Sequence, residues 1–112
     1  MVENKEQTAF SLSGGALVCE LSGEIDHHAA RTVREAVDGE LYRACPSELV
    51  LDFTRVGFMD SSGIALIIGR AECARELGIP LRVVGLSRIQ ERLIRLSGVD
   101  RIEGVTLKGA DA

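Results

Sequence analysis

Hydrophobic residues near the start of the chain recur at every second position, on both sides of a Ser-Gly-Gly stretch. This alternation extends over residues 8–12 and again over residues 17–21. A period of two is typical of a β-strand, and two glycines between such segments are typical of a hairpin turn. We therefore predict an antiparallel β-hairpin in which Leu17, Cys19 and Leu21 point to one face.

Three later segments carry hydrophobic residues at the spacing of an amphipathic helix, three to four positions apart. They begin at Asp26, Asp60 and Ser87, whose side chains can accept hydrogen bonds from the free N–H groups of a first helical turn. Ser87 and Gln90 together form the S-x-x-Q pattern of a capping box. The helices are expected to end near Pro46, Gly78 and Gly98.

The same spacing indicates which side of each helix is buried. We expect these residues to face the core: Ala30, Val33, Val37, Leu41 and Ala44 in the first helix; Ile64, Ile67, Ile68, Ala71, Ala74 and Leu77 in the second; Ile89, Leu93 and Leu96 in the third. Ala65 and Leu66 fall partly outside the second stripe. Their position leaves open whether they face a partner or the flanking helices.

Short and mostly apolar segments separate the helices and predict buried strands. They are Glu48–Phe53, residues 80–86 and residues 101–107, and continuous hydrophobicity is typical of strands covered by helices. The predicted order is β-β-α-β-α-β-α with a short last strand, which implies parallel pairs joined by crossovers. The fold class is therefore α/β, a small mixed sheet with helices packed against it. We expect a single domain over residues 1–112, with a core over residues 8–107 and a loose C-terminal tail.

Composition and charge narrow the classes of function. The chain of 112 residues has 46% hydrophobic and 27% charged residues, which is ordinary for a folded domain. Its formal net charge of -4 gives no electrostatic case for binding nucleic acid or an anionic membrane. No apolar stretch approaches the roughly 20 residues of a membrane span, and the polar N-terminus does not resemble a signal peptide. We therefore expect a cytoplasmic protein with neither a nucleic-acid nor a membrane partner.

The cysteines and glycines give no sign of a metal or a cofactor. Cys19, Cys45 and Cys73 are odd in number and widely separated, without a C-x-x-C pair, so we expect buried or half-buried thiols. Neither of the glycine-rich phosphate-binding patterns, GxxxxGK[ST] and GxGxxG, occurs in the chain.

Polar side chains concentrate in the Asp-Ser-Ser-Gly turn of residues 60–63, between two apolar stretches. In an open α/β sheet, sites gather at the ends where strands lead into helices. This turn and the segment before the first helix both lie at such ends. We therefore expect Glu24, Asp26, His27 and His28 to lie close to the turn.

Three interpretations of this turn differ in what they require. A serine hydrolase needs the G-x-S-x-G elbow, and the sequence FMDSSGI lacks its leading glycine. Helix capping explains Asp60 but leaves the pair of hydroxyls unexplained. A phosphorylation switch is also compatible, because a phosphate of about -1.5 to -2 charges is well tolerated at a helix N-terminus and would act mainly on a partner. The residues alone leave capping and switching both open.

Three segments of the chain resemble the anti-sigma factor antagonists of the STAS domain family, and most closely the sporulation type that acts on sigma F. They are SGEIDHHAA (residues 22–30), LDFTRVGFMDSSGIALIIGR (residues 51–70) and LIRLSGVDRI (residues 93–102). The resemblance extends over residues 10–102. It implies a STAS-like single domain that is a binding module and not an enzyme.

The resemblance also implies partners. Such antagonists bind an anti-sigma factor that is also a serine kinase and carries ATP or ADP, and this binding frees the sigma factor. The kinase phosphorylates one serine of the turn and releases the antagonist, and a PP2C-type serine phosphatase reverses the modification. The antagonist needs no cofactor or metal of its own, and we expect a monomer when it is free.

Matched residue by residue, the resemblance places the phosphoserine at Ser61. It implies partner contacts by Asp60, Ser62 and Gly63 in the same turn, and by Asp26, which matches an acid that meets a basic residue of the kinase. Two further residues, Glu24 and His27, would belong to the same partner-binding surface.

Two features of the chain bear on how far the resemblance applies. Members of the family often carry a further helix after the last strand, whereas only KGADA follows Leu107, so we expect that helix to be missing or reduced. The alternative function is a STAS scaffold or small-ligand sensor without phospho-control. Such a domain could carry any small residue at position 61, whereas this chain carries a hydroxyl.

Overall fold

A computed structural model describes residues 7–109, in which a five-stranded sheet carries three helices. The elements are β1 (Thr8–Ser13), β2 (Ala16–Ile25), α1 (His27–Ala44), β3 (Glu48–Met59), α2 (Ser61–Leu77), β4 (Leu81–Leu86), α3 (Arg88–Ser97), a 3-10 helix (Val99–Arg101) and β5 (Val105–Gly109). The predicted order of elements is confirmed. The tail that we expected to be loose begins inside β5, at Lys108, and residues 110–112 lie outside the described range.

The sheet is mixed, as predicted, with the strand order β1-β2-β3-β4-β5. β1 pairs with β2 in antiparallel fashion through the predicted hairpin, and the remaining neighbours are parallel. Gly14 and Gly15 adopt φ angles of 59° and 89° at the hairpin turn, which only glycine tolerates easily at both positions.

The helices cover one face of the sheet. Leu17, Leu49 and Leu81 stand at one register across β2, β3 and β4, and each is at most 1% exposed. Side chains at the alternate positions of each strand point to the other face, where Glu20 and Arg82 are exposed. Because consecutive right-handed crossovers advance across the sheet in one direction, they place all three helices on the same side.

β3 is longer than we predicted. The expected strand ended at Phe53, but the observed one continues through a stretch of mixed polarity to Met59. Its extension pairs with β2 as far as Ile25, across two irregularities in register. The sequence pattern did not reveal this extension because its buried residues, Val56 and Met59, are three positions apart and do not alternate as strand residues usually do. The extension brings the ends of β2 and β3 to the same edge of the sheet.

The buried side of α2 differs from the predicted one at both margins. Leu66, which we left unassigned, is only 4% exposed and joins the core, whereas Ala65 beside it is exposed. Leu77, which we expected to be buried, is 43% exposed because the helix ends there and Gly78 turns the chain away in the left-handed conformation.

The predicted buried side of α3 is wrong. Ile89, Leu93 and Leu96 are 74%, 41% and 78% exposed, while Gln90 and Ile94 are buried. The capping box at Ser87 is present as predicted and sets the rotation of the first turn. It places Gln90 toward the sheet side, with its amide 3.5 Å from the carbonyl of Val56.

The cysteines are free thiols, and one of them is exposed against expectation. Cys19 is buried and Cys73 half-buried, as predicted, but Cys45 is exposed. Cys45 follows α1 as its left-handed cap, with φ of 48°, which directs it out of the core. Burial raises the pKa of the Cys19 thiol to about 12, so it stays protonated at neutral pH. Within residues 7–109, none of the helices is both long enough and apolar enough to cross a membrane.

Candidate partner-binding site

Two neighbouring parallel strands end side by side, and each leads directly into a helix. Ile25 at the end of β2 pairs with Met59 at the end of β3, and the backbone N–H of Asp60 donates to the carbonyl of Ile25 over 3.4 Å. α1 and α2 therefore begin at the same edge of the sheet. This juxtaposition confirms the predicted proximity of Asp26 to the turn of residues 60–63.

Both aspartates cap their helices. The Asp26 Oδ1 atom accepts from the N–H of Ala29 at 2.9 Å, and the Asp60 Oδ1 atom accepts from the N–H of Ser62 at 2.8 Å. Both residues have the extended backbone of an N-cap and remain exposed. Each carboxylate therefore stabilises its helix and still presents negative charge to the solvent.

The two serines of the turn differ in their surroundings. Ser61 is the first residue of α2 and is exposed, and its hydroxyl makes no hydrogen bond to any residue in the range 7–109. Ser62 is half-buried and lines a groove between α1 and α2. The hydroxyl of Ser61 is thus the more accessible of the two to another protein.

Gly63 has a packing role within the domain. It is buried, and a Cβ atom at this position would lie 2.7 Å from the Sδ atom of Met59 and 3.0 Å from its Cβ atom. The first turn of α2 can lie this close to the end of β3 only because residue 63 has no side chain. The partner contact that we predicted for Gly63 stays a prediction.

The edge of the sheet at this site is acidic. Glu24 is exposed and pairs with Phe58 across β2 and β3, one position before the paired ends of the two strands. Together with Asp26 and Asp60 it forms what we call the acidic edge (Glu24, Asp26 and Asp60). Phe58 is 52% exposed beside it. Phe58 therefore adds apolar surface next to the three carboxylates.

A groove of about 390 Å³ lies between the N-terminal halves of α1 and α2. Its lining, which we call the α1–α2 groove, consists of His27, Ala30, Arg31, Arg34, Ser62, Ala65 and Leu66. His27, Arg31 and Arg34 follow one side of α1 and are all exposed. The groove therefore combines an apolar floor with a basic rim. Ser62 lines it as well, so the groove is continuous with the turn of residues 60–63.

The described residues offer little to a metal ion. No group of three or more His, Cys, Asp and Glu side chains between residues 7 and 109 is arranged to hold one. His27 and His28 are both exposed at the start of α1, where they add polar surface beside the acidic edge.

Comparison with known proteins assigns this architecture. Residues 8–112 match the STAS domain. The chain belongs to the STAS domain family. The resemblance seen in its three sequence segments is confirmed.

Relatives of this STAS domain include named antagonists. An anti-sigma F factor antagonist from Paenibacillus polymyxa is 35% identical over 88 residues, which are 79% of this chain and 75% of the relative. An anti-sigma-B factor antagonist from Listeria monocytogenes is 32% identical over 83 residues, which are 73% of this chain and 71% of the relative.

Solved structures share its fold. The anti-sigma factor antagonist SpoIIAA in its unphosphorylated form superimposes with a TM-score of 0.70, over 94% of this chain and 88% of that one, at 22% identity. The Bacillus protein SpoIIAA in the phosphorylated form gives a TM-score of 0.71, over 93% and 91% of the two chains, at 23% identity.

Sequence reasoning identified part of the candidate partner-binding surface and missed another part. It placed the acidic edge, both serines and the two histidines correctly at the ends of β2 and β3. It did not find Phe58, because the strand containing it was expected to end earlier. It also missed Arg31 and Arg34, because the partner helix that makes a groove of their side of α1 is visible only in the fold.

Proposed function

We propose that this STAS domain is an anti-sigma factor antagonist. It binds an anti-sigma factor that is also a serine kinase, in the cytoplasm, and so frees the sigma factor. Phosphorylation of Ser61 by that kinase switches the antagonist off, and a PP2C-type phosphatase restores it. The 35% identity to an anti-sigma F factor antagonist supports the antagonist role, and the exposed Ser61 hydroxyl on the first residue of α2 carries the assignment of the switch.

The position of Ser61 suits a switch that acts on a partner and spares the fold. A phosphate there would face the unpaired N–H groups and the positive dipole end of α2, which favour negative charge. It would add about -1.5 to -2 charges next to Asp60 and near the rest of the acidic edge. The domain itself can therefore accommodate a charge that strongly alters its surface.

The expected change in affinity is large enough to separate two proteins. Against an acidic group of the partner, each unit-charge contact at about 4 Å costs roughly 1 to 4 kcal/mol, depending on screening. A loss of about 1.4 kcal/mol is a tenfold loss in affinity. One or two such contacts would convert a tight complex into a weak one while the domain stays folded.

The test of this function locates the phosphate. The protein is incubated with the purified anti-sigma factor of its own organism and ATP, and the modified residue is identified by mass spectrometry. We expect phosphate on Ser61 in the unaltered chain and in Ser62→Ala, and none in Ser61→Ala. Ser61→Ala should still bind the anti-sigma factor loaded with ADP.

Two outcomes would contradict the assignment. Phosphate only on Ser62 or Thr54 would move the switch to another residue; the Thr54 hydroxyl already donates to the Asp52 Oδ1 atom at 2.6 Å, so it is a poorer acceptor of phosphate than the free Ser61. A complex that forms but transfers no phosphate would favour a STAS scaffold without phospho-control.

A further inference from the structure

The α1–α2 groove is lined by residues of both helices, and the same two helices are joined by an ion pair. Ala30 on α1 and Ala65 on α2 both line it, so each helix contributes a small side chain to the groove. Further along both helices, Arg70 on α2 and Asp38 on α1 form an ion pair with 2.9 Å between Nε and Oδ1, and the Arg70 side chain is 6% exposed. This pair links the two helices beyond the groove, on the side away from the turn of residues 60–63.

The basic rim of the groove is not neutralised by the domain itself. Arg34 is exposed and forms no ion pair with any residue from 7 to 109. Arg31 reaches only Glu35, with 4.0 Å between Nε and Oε2, and both side chains are largely exposed. Such a pair contributes little, because water and salt screen it. Two guanidinium groups therefore remain available to a ligand, although the chain as a whole carries a net charge of -4.

The groove and the acidic edge form two poles of the surface, one basic and one acidic, on the two sides of the turn of residues 60–63. Asp26 and Asp60 present carboxylates at the ends of the strands, while Arg31 and Arg34 present guanidinium groups along α1. A partner that satisfies both poles can bind in one orientation only, because reversing it would place like charges against each other.

We infer that the α1–α2 groove receives an acidic side chain of the anti-sigma factor, with a neighbouring aliphatic side chain over Ala30, Ala65 and Leu66. The carboxylate would pair with Arg34, which makes this arginine a specificity-determining residue of the complex. The inference rests on the proposed function, which it extends from the switch turn to a second contact region. Charge complementarity and continuity with the turn through Ser62 select this occupant.

The charge of Arg34 is tested with a matched control. Arg34→Glu and Arg92→Glu alter the net charge equally, and Arg92 is likewise exposed and unpaired within the described range but lies on α3. Binding to the purified anti-sigma factor loaded with ADP is measured by isothermal titration calorimetry. We expect Arg34→Glu to weaken binding at least about tenfold and Arg92→Glu at most about twofold. Equal losses in the two variants would overturn the inference.

The shape of the groove is tested separately. Ala65 is exposed within α2, so Ala65→Leu keeps a strong helix former while filling the depression. We expect unchanged thermal unfolding and a loss of binding of about tenfold or more. Unchanged binding would mean that the groove stays empty in the complex.

Further variants distinguish a failure of this inference from a failure of the proposed function and from self-association. Asp26→Ser keeps a capping oxygen but removes the charge of the other pole. If Asp26→Ser weakens binding and Arg34→Glu does not, only the groove inference fails. If the unaltered chain does not bind the anti-sigma factor, the proposed function fails with it.

If Arg34→Glu converts a dimer of the chain alone into a monomer in sedimentation, the occupant is a second copy and the inference is wrong. Recovery of binding by Arg34→Glu when an acidic residue of the anti-sigma factor is changed to lysine would establish the contact.

Discussion

The two glycines of α2, Gly63 and Gly69, differ in the space around them. Gly63 faces Met59 so closely that no Cβ atom fits without movement, whereas a Cβ atom at Gly69 would meet nothing within 4 Å. An alanine at either position gains up to about 1 kcal/mol in helix propensity. Only at Gly63 is this gain opposed by a steric cost, of about 1 to 3 kcal/mol.

We therefore predict opposite effects of one substitution at two positions of the same helix. Gly63→Ala should lower the free energy of unfolding, and Gly69→Ala should raise it, as measured by urea denaturation. The first substitution also shifts the turn that carries Ser61, so it should slow phosphorylation, whereas Gly69→Ala should leave the rate unchanged. Stabilisation by both substitutions would show that Met59 moves aside freely.

At the level of single residues, the sequence predicts those features that depend on neighbours along the chain. The caps by Asp26, Asp60 and Ser87 involve residues two or three positions away, so their chemistry is visible in the letters alone. The reason for Gly63 is not visible in this way: Met59 is only four positions before it, but the clash depends on how the end of β3 leads into the first turn of α2.

The helix α3 shows how a hydrophobic pattern can support two different faces. Its apolar residues at positions 89, 93, 94 and 96 form two overlapping rows, and periodicity alone favours the row Ile89, Leu93 and Leu96. The fold buries Ile94 instead and leaves that row in solvent. A polar residue, Gln90, occupies the buried side, where its side-chain carbonyl also accepts from the N–H of Ser87. A buried glutamine is the feature that the pattern could not anticipate.

This arrangement predicts which substitutions in α3 are costly. Ile94→Ala should lower the free energy of unfolding by about 2 to 5 kcal/mol, because it leaves a cavity in the core. Ile89→Ala and Leu96→Ala should each change it by no more than about 0.5 kcal/mol, because their side chains are already exposed. Urea denaturation of the three variants gives the ranking. A larger loss for Ile89→Ala than for Ile94→Ala would restore the face predicted from the sequence.

On the scale of the whole molecule, the order of the strands creates the site. Because β2 and β3 are adjacent and parallel, α1 and α2 begin at one edge, and their caps and first turns form a common surface. The alternation of strands and helices in the sequence was sufficient to predict this edge. It was not sufficient to predict the groove, which depends on how closely two helices pack along their length and on the Arg70–Asp38 pair between them.

The same architecture predicts that negative charge at Ser61 changes binding and leaves the fold intact. In Ser61→Asp, the new carboxylate lies in the first turn of α2, where the helix dipole offsets its repulsion from Asp60, so the free energy of unfolding should change by at most about 1 kcal/mol. Affinity for the ADP-loaded anti-sigma factor should fall at least about tenfold. Ser11→Asp adds the same charge on exposed β1, away from the turn, and should leave binding unchanged. If Ser61→Asp loses its native far-UV circular dichroism, residue 61 serves the helix start more than the switch. If both variants lose affinity equally, net charge and not the position of Ser61 governs the complex.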